Sequence, residues 1–420
     1  MRCERLSLGG DPVALAAELR ALVPAPQSVS AAVGEIIAAV RAGGDEAVRE
    51  LTRTFDTAGA DPARLQASDA ELDAAAERLE PAVRAGLMTA IENVRRVAGE
   101  ALRADRVVQV GGHQVALREA PVESAAVYVP SGRAPYPSTV VMGVVPARVA
   151  GVQKIAVCAP PGRSGDLDPV VLGACRLAGA SVVYRMGGAQ AIAALAYGTS
   201  SVAAVDVIVG PGNLYVQEAK RQLFGRVGID GLAGPSDLVV VAGGDADPGP
   251  LALDLLAQAE HGSGSLVVGI SSSAGLLGQL AVSIELAPGS GAVARLVQAR
   301  DAEAALELAQ ALAPEHLQLV GSEIEALAPR ATRAGCVFVG LASAPAFGDY
   351  IAGSSHILPT GGAARFASAL NPSHFRRAFS EVRIPQAAAT DLARTAAPVA
   401  RAEGFELHAR SMEARIRDNG

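Results

Sequence analysis

A chain of 420 residues, half of them hydrophobic and 19% charged, carries enough apolar mass for two or more packed units. With 3% aromatic residues and no Trp its cores must be aliphatic, and four cysteines without a CxxC pair exclude a cysteine-built zinc site. A net charge of −7 with no basic run argues against nucleic acid, no apolar run reaches the ~18 residues of a membrane span, and MRCERLSLGG holds no signal-peptide core, so cytoplasmic residence is expected.

Residues 1–24 read as a helical arm ending near Pro24 and Pro26. Residues 28–104 have helical periodicity, with a cap at Ser28 or Ser30 and a turn at Ala42-Gly43-Gly44. Val107–Val110, Gly111-Gly112 and His113–Leu117 read as a hairpin. From about 124 the pattern becomes strand–helix alternation. Strands are expected at Ala125–Val129, Lys154–Cys158, Ser181–Arg185 and Val205–Val209, with helices at 138–150, 168–178, 189–198 and 213–223. The pattern then restarts, with strands at Leu238–Val241, Leu266–Ile270, Leu317–Val320 and Val337–Val339 and helices near 247–260, 273–283, 302–313 and 322–333. Such alternation builds right-handed βαβ units on parallel sheets. The expected fold is α/β, with two Rossmann-like parallel-sheet units and helical N- and C-terminal extensions. Residues 25–124 with 235–370 are expected to form one unit and 125–234 the other. A helical extension covers 371–420, beginning at Asn371-Pro372-Ser373. The cysteines are expected as reduced thiols.

Several segments carry chemistry. In LLAQAEHG at 255–262, Gln258 and His261 are three apart and share a helix face. An amide oxygen and an imidazole nitrogen suit one divalent metal. The plainer reading is a helix C-terminus stopped by Gly262. In APEHLQL at 313–319, Glu315 and His316 stand at the step from helix to strand. At a turn both reach one cleft as bases of different strength, and otherwise they are a capping Glu and a partly buried His. FGDYIAGSSHILPTGG at 347–362 reads as a long loop at the C-terminal end of a parallel strand, where open α/β sheets hold their sites. Asp349 is its anionic candidate, while His356 reads better as a structural histidine. RMGGAQAIAALAYG and VIVGPGNLYVQEAKRQLFG turn through glycines into helices containing Gln190 and headed by Asn213. These turns suit phosphate or ribose, but Tyr215 occupies the third glycine position of the dinucleotide fingerprint. In RAEGFELHAR, Glu403 and His408 diverge on one helix unless Gly404 breaks it. His113 and His374 are given no role.

Together, and in this order, YVPSGRAPYPSTVVM, RMGGAQAIAALAYGT, IVGPGNLYVQEAKRQLFG, LAGPSD, LLAQAEHG, APEHL and GDYIAGSSHILPTGG resemble the histidinol dehydrogenase family. The resemblance covers most of 126–370, with a shorter match around Glu403–His408. It implies a metal site, normally zinc, from Gln258, His261, Asp349 and His408. It implies substrate contacts by these ligands and by Ser236, His316 and Glu403, NAD near Tyr128, Gln190 and Asn213, and Glu315 with His316 as the catalytic pair. It also implies a homodimer in which the extension carries Glu403 and His408 to the partner's site. This chain departs from the family pattern at Gly143, Gly262, Ser355 and Ala369, which bear on loop shape, and 375–400 matches poorly.

The implied reaction takes L-histidinol to L-histidine, the last step of histidine biosynthesis, in two hydride transfers to NAD. His316 suits the alcohol proton and Glu315 the water of the second oxidation. An alternative is a paralogous metal- and NAD-dependent enzyme oxidising another polar alcohol, which retention of Ser236, Glu403 and His408 disfavours. Another is a non-catalytic metal-binding protein, which retention of Glu315 and His316 disfavours.

Overall fold

The computed structural model describes all residues except 24–28, 61–63, 132–133, 233 and 418–420. It divides into one unit of Met1–Ala101 with Val122–Phe375 and a second of Leu102–Pro121 with Arg376–Gly420.

The first unit opens with strand β1 (Cys3–Ser7) and helix α1 (Pro12–Arg20), followed by α2 (Ser30–Phe55), α3 (Asp69–Glu77) and α4 (Pro81–Glu100). Strands β2 (Arg106–Val110) and β3 (His113–Pro121) belong to the second unit. The chain then alternates through β4 (Ser124–Tyr128), α5 (Pro137–Ala150), β5 (Lys154–Ala159), α6 (Pro169–Ala178), β6 (Val182–Arg185), α7 (Gly188–Tyr197), β7 (Val207–Val209), α8 (Leu214–Leu223) and β8 (Gly228–Ile229). These strands form a parallel sheet in the order β6-β5-β4-β7-β8. A second series runs β9 (Asp237–Ala242), α9 (Pro248–Ala259), β10 (Leu266–Ser271), α10 (Ala274–Leu286), β11 (Val293–Gln298), α11 (Ala302–Leu312), β12 (His316–Val320), α12 (Ser322–Glu325), β13 (Cys336–Val339) and α13 (Pro345–Tyr350). With β1 it forms a six-stranded parallel sheet, β1-β11-β10-β9-β12-β13. The expected α/β class with two parallel sheets is therefore the observed one.

Both sheets are buried on both faces, which is why their strands read as unbroken apolar runs. Successive residues still point to opposite sides. Val127 and Val157 join one core of the five-stranded sheet, while Ala126, Tyr128, Ala156 and Cys158 join the other. Val239 and Val241 likewise face away from Leu238 and Val240 in the six-stranded sheet. Cys158 and Cys175 are buried free thiols, and burial pushes both well above the ordinary thiol range.

Several expectations need correction. The N-terminal arm is not helical throughout, because Cys3–Ser7 pairs with β11 as an edge strand. Its close at Pro24 and Pro26 lies outside the described residues, as does the cap at Ser28. Ser30 opens α2, preceded by Val29 with no side-chain cap. The turn at 42–44 is present, as Gly44 at φ +55° kinks α2. Helices α2, α3 and α4 pack on α7 and α8, α6, and α5, all helices of the five-stranded sheet, whereas the sequence reading groups this segment with the six-stranded one. The stretch expected as a helix at 322–333 is only α12 and a 3-10 turn at Ala328–Arg330. The C-terminal extension begins with strand β14 (Arg376–Arg383), which joins β3 and β2 in a three-stranded antiparallel sheet. Helices α14 (Gln386–Ala402) and α15 (Glu406–Glu413) complete the second unit. The β2–β3 hairpin has Val110 opposite His113, with Gly111 and Gly112 at positive φ, the backbone a two-residue turn requires.

Gly143, one of the departures from the family pattern, lets α5 lie against β4. A Cβ built there would stand 2.4 Å from a Val127 methyl. Gly143→Ala is therefore expected to destabilise the protein by about 1–3 kcal/mol through overpacking, read as a lower urea midpoint, and Gly143→Ala,Val127→Ala to recover part of that loss.

Candidate active site

In the six-stranded sheet each helix that follows a strand runs back beside it, so helix C-termini gather at the edge where the strands begin. Register puts Leu238 opposite His316 on adjacent β9 and β12. The residues just before, Ser236-Asp237 and Glu315, therefore face one another at this starting edge. The chain reaches Glu315 from α11 through Ala313, a non-glycine residue held in the left-handed region at φ +46° ahead of Pro314.

Glu315 and Asp237 grip each other reciprocally. The Glu315 N–H donates to Asp237 Oδ1 at 2.8 Å, and the Asp237 N–H donates to Glu315 Oε2 at 3.1 Å. Ser236 Oγ also donates to Glu315 Oε2, at 2.5 Å, and Gln258 Nε2 donates to Ser236 Oγ. Behind them Arg20 of α1 pairs with Asp237 at 2.6 Å and donates to the Leu312 carbonyl at the end of α11. Burial pushes the Glu315 carboxyl up to about 7, against the pull of His316.

The His316 ring stacks on Phe338, with centroids 5.9 Å apart. Its Nε2 faces Asp349 Oδ1 at 3.2 Å and its Nδ1 lies 3.8 Å from Glu315 Oε2. Nδ1 is buried without a hydrogen-bond partner. Burial opposes charge on this ring, but Glu315 and Asp349 carry its pKa up to about 9. Burial also works to raise the Asp349 carboxyl. The hydrogen bond and charge of His316, with the His356 and His261 imidazoles, hold it below its ordinary value. Asp349 sits in the last turn of α13, not in an open loop as expected, and α13 returns it to the starting edge. His356 is the structural histidine expected: Nδ1 faces the Asp349 carbonyl at 2.9 Å and Nε2 faces Thr139 Oγ1 at 3.1 Å.

Gln258 is in the last turn of α9, and His261 follows it with Nδ1 3.1 Å from the Gln258 carbonyl. That leaves His261 Nε2, the Gln258 amide oxygen and Asp349 Oδ2 as donor atoms, a mixed oxygen and imidazole set that suits zinc, manganese or cobalt. Among the described residues no three His, Cys, Asp or Glu side chains form a metal cluster. The donors proposed from this unit include only two of those types. Glu403 and His408 lie in the second unit. Glu403 caps α14, Gly404 at φ +84° breaks the helix, and His408 is exposed on α15.

A cavity of about 510 Å³ joins the starting edge of the six-stranded sheet to the finishing edge of the five-stranded one. Ser236, His261, Glu315, His316 and Asp349 line one side, and Pro130, Pro211, Gly212 and Asp230 the other. The site thus lies at the opposite strand end of the six-stranded sheet from the one expected. Tyr128 ends β4, with its buried hydroxyl accepting from the Gly188 N–H at 3.1 Å. Gln190, also buried, donates to Asp56 Oδ2 at 3.2 Å. Asn213 is exposed and caps α8 through the N–H groups of Tyr215 and Val216. All three occupy the finishing edge without lining the cavity. Sequence reasoning missed Asp237 and Arg20. Asp237 was visible only as the last letter of LAGPSD, and Arg20 gave no signal.

A sequence model of the histidinol dehydrogenase family matches residues 23–416. The histidinol dehydrogenase of Cereibacter sphaeroides is 43% identical over 401 residues, covering 92% of each chain. That of Pseudomonas aeruginosa is 42% identical over 407 residues, covering 93% of this chain and 92% of its own. The crystal structure of histidinol dehydrogenase from Elizabethkingia anophelis superposes with a TM-score of 0.89 at 28% identity, covering 99% of this chain and 98% of that one.

Burial raises the Asp56 carboxyl to about 6 from 3.8, despite hydrogen bonds from the Gly187 N–H and Gln190. A carboxyl raised on folding contributes stability that is complete below the unfolded value and lost as pH rises through the folded one. Asp56→Asn is therefore expected to stabilise the protein by about 1–2 kcal/mol at pH 8, allowing for solvent screening, and by nothing at pH 3.5. Urea unfolding at the two pH values reads the difference.

Proposed function

The chain belongs to the histidinol dehydrogenase family, and from that premise we propose that it oxidises L-histidinol to L-histidine by two successive hydride transfers to NAD at a zinc site. The observation that carries this is the convergence of Glu315, His316, Ser236, His261 and Asp349 on one cavity. No described helix is long and apolar enough to cross a membrane.

Gln258, His261 and Asp349 would hold the metal, with His408 of the partner subunit as the fourth ligand. When bound, the metal supplies a Lewis-acidic anchor for the substrate's amine and imidazole. The chain's own groups do the rest. With a pKa near 9 the His316 ring is mostly protonated at neutral pH. In the neutral fraction, which grows as pH rises toward 9, an Nε2–H donated to Asp349 leaves Nδ1 as the basic nitrogen that takes the alcohol proton in the first oxidation. Glu315, with its pKa near 7, is ionised in part at neutral pH and takes a proton from the water added to the aldehyde. Ser236 orients that carboxylate. NAD is assigned to the finishing edge of the five-stranded sheet, near Tyr128, Gln190 and Asn213, where the helices of that sheet present their N-termini.

Glu315→Gln is expected to leave oxidation of the alcohol nearly intact and to slow oxidation of the aldehyde by about 100- to 10,000-fold, whereas His316→Gln slows the first oxidation by a similar factor. Single turnovers started from alcohol and from aldehyde read the two steps. Equal losses from both starting points in both variants would reject the division of roles.

The homodimer with crossed extensions is tested by complementation. A doubly tagged heterodimer of a Gln258→Ala chain and a His408→Ala chain gathers both lesions in one site if the extension crosses. The other site is then intact, and about half of wild-type NADH formation returns from two nearly inactive parents. A verified heterodimer no more active than its parents argues that each extension stays at home.

A further inference from the structure

Among the largest fully buried side chains is a charged one that this reaction does not use, Lys220. It lies on α8 among Val216, Ala219 and Leu223, which join the apolar core of the five-stranded sheet. Its Nζ donates to the Gly210 carbonyl at 2.5 Å and to Asp230 Oδ1 at 2.7 Å. The second Asp230 oxygen accepts the Gly210 N–H at 2.7 Å. Both polar groups of the Gly210 backbone are thus held by one ion pair. On its other side Gly210, at φ +113°, is pressed on the end of β4, where a Cβ would stand 2.2 Å from the Tyr128 carbonyl oxygen. A single backbone position is clamped from two directions.

Taking an ammonium and a carboxylate out of water is costly, and apolar side chains of like volume usually serve stability as well or better. What this pair adds is a fixed turn. That turn matters to the cavity: Pro211, Gly212 and Asp230 line it, and the next residue is Asn213. We propose that Lys220, acting through Asp230 and Gly210, is the positioning residue that presents the Gly210–Asn213 turn to the dinucleotide. This rests on the reading that NAD binds at this edge. Lys220 itself touches neither cofactor nor reacting atoms.

The test uses the full-length, metal-loaded protein, with calorimetric titration of NADH beside steady-state kinetics and thermal unfolding. Lys220→Met keeps the volume and removes the charge. It should raise the Kd for NADH and the KM for NAD about tenfold, equivalent to about 1.4 kcal/mol. Meanwhile kcat at saturating NAD and the KM for L-histidinol should change by no more than about twofold. Because Lys220→Met strands Asp230, the charge-free Lys220→Met,Asp230→Asn variant is the control. It should recover the wild-type Tm yet still bind NADH weakly. A folded variant of either kind that binds NADH like the wild type overturns the proposal. So does a fall in kcat with unchanged NADH affinity, or a charge-free variant that does not fold, since the pair would then serve stability alone. A wild-type protein that binds no NADH overturns instead the cofactor reading beneath it, and that is seen before any variant is made.

Discussion

Strand direction is the constraint on which the site depends. The cavity meets the six-stranded sheet where its strands begin and the five-stranded sheet where its strands end. In a parallel α/β layer these edges differ in electrostatic sign. The starting edge gathers helix C-termini, whose unpaired carbonyls carry partial negative charge, and the finishing edge gathers helix N-termini with partial positive charge. Gln258 and His261 close α9, and Glu315 follows the end of α11. A divalent cation and a substrate amine are favoured on that side. A dinucleotide, with its anionic diphosphate, is favoured on the other. Helix polarity thus sorts the two proposed ligands before any side chain does, and it does so without the glycine fingerprint.

Within the half that favours a cation the side chains must still prevent the buried carboxylates from repelling one another. Asp237, Glu315 and Asp349 all lie close to His316. Arg20 meets the first of them, His316 lies between the other two, and the reciprocal backbone bonds fix Glu315 against Asp237. The consequence is a division of labour. Asp237 is spent on structure, whereas Glu315 is left with a pKa high enough to exchange protons near neutrality. Arg20 comes from the N-terminal arm, so an element remote in sequence steadies the Glu315 carboxylate through Asp237.

Much of this was legible in the sequence where a segment is buried on both faces. The β-branched runs at 154–158, 238–241 and 266–270 are strands close to their expected limits because nothing else accommodates them. Edge and half-exposed strands were not legible. Cys3–Ser7 has charged residues at Glu4 and Arg5, and Val293–Gln298 has Arg295 in its middle, so neither reads as a strand alone. They form because they pair with each other, and Arg295 meets Glu4 at 3.0 Å. Strand Arg376–Arg383 was hidden in the same way by its charges, three of which pair with Arg118 or Glu119 of β3 or with each other. Of the site, the residues to which chemistry is assigned by proposal stood in recognisable blocks. The groups that hold them, Arg20, Asp237 and the Lys220–Asp230 pair, act through distances that no local pattern records.

The second unit exposes apolar side chains that the proposed homodimer would cover. Its three-stranded sheet leaves Val107, Val108, Val110, Leu117, Phe379 and Val382 exposed, and beside His408 the side chains of Phe405 and Leu407 are exposed as well. By register Val108, Val110, Leu117 and Val382 share one face of this sheet, while Val107 and Phe379 lie on the other. Single exposed apolar residues are ordinary, but four on one face are the kind of surface that a subunit contact covers. The break at Gly404 has the same logic. On an uninterrupted helix Glu403 and His408, five positions apart, would point in different directions. A left-handed glycine between α14 and α15 frees the second helix to turn its imidazole independently, and Phe405 stacks edge-on against that ring at 5.2 Å. A side chain so prepared and so exposed fits a ligand destined for a site on another subunit, where docking of the surrounding apolar surface would supply the desolvation that a lone surface histidine lacks.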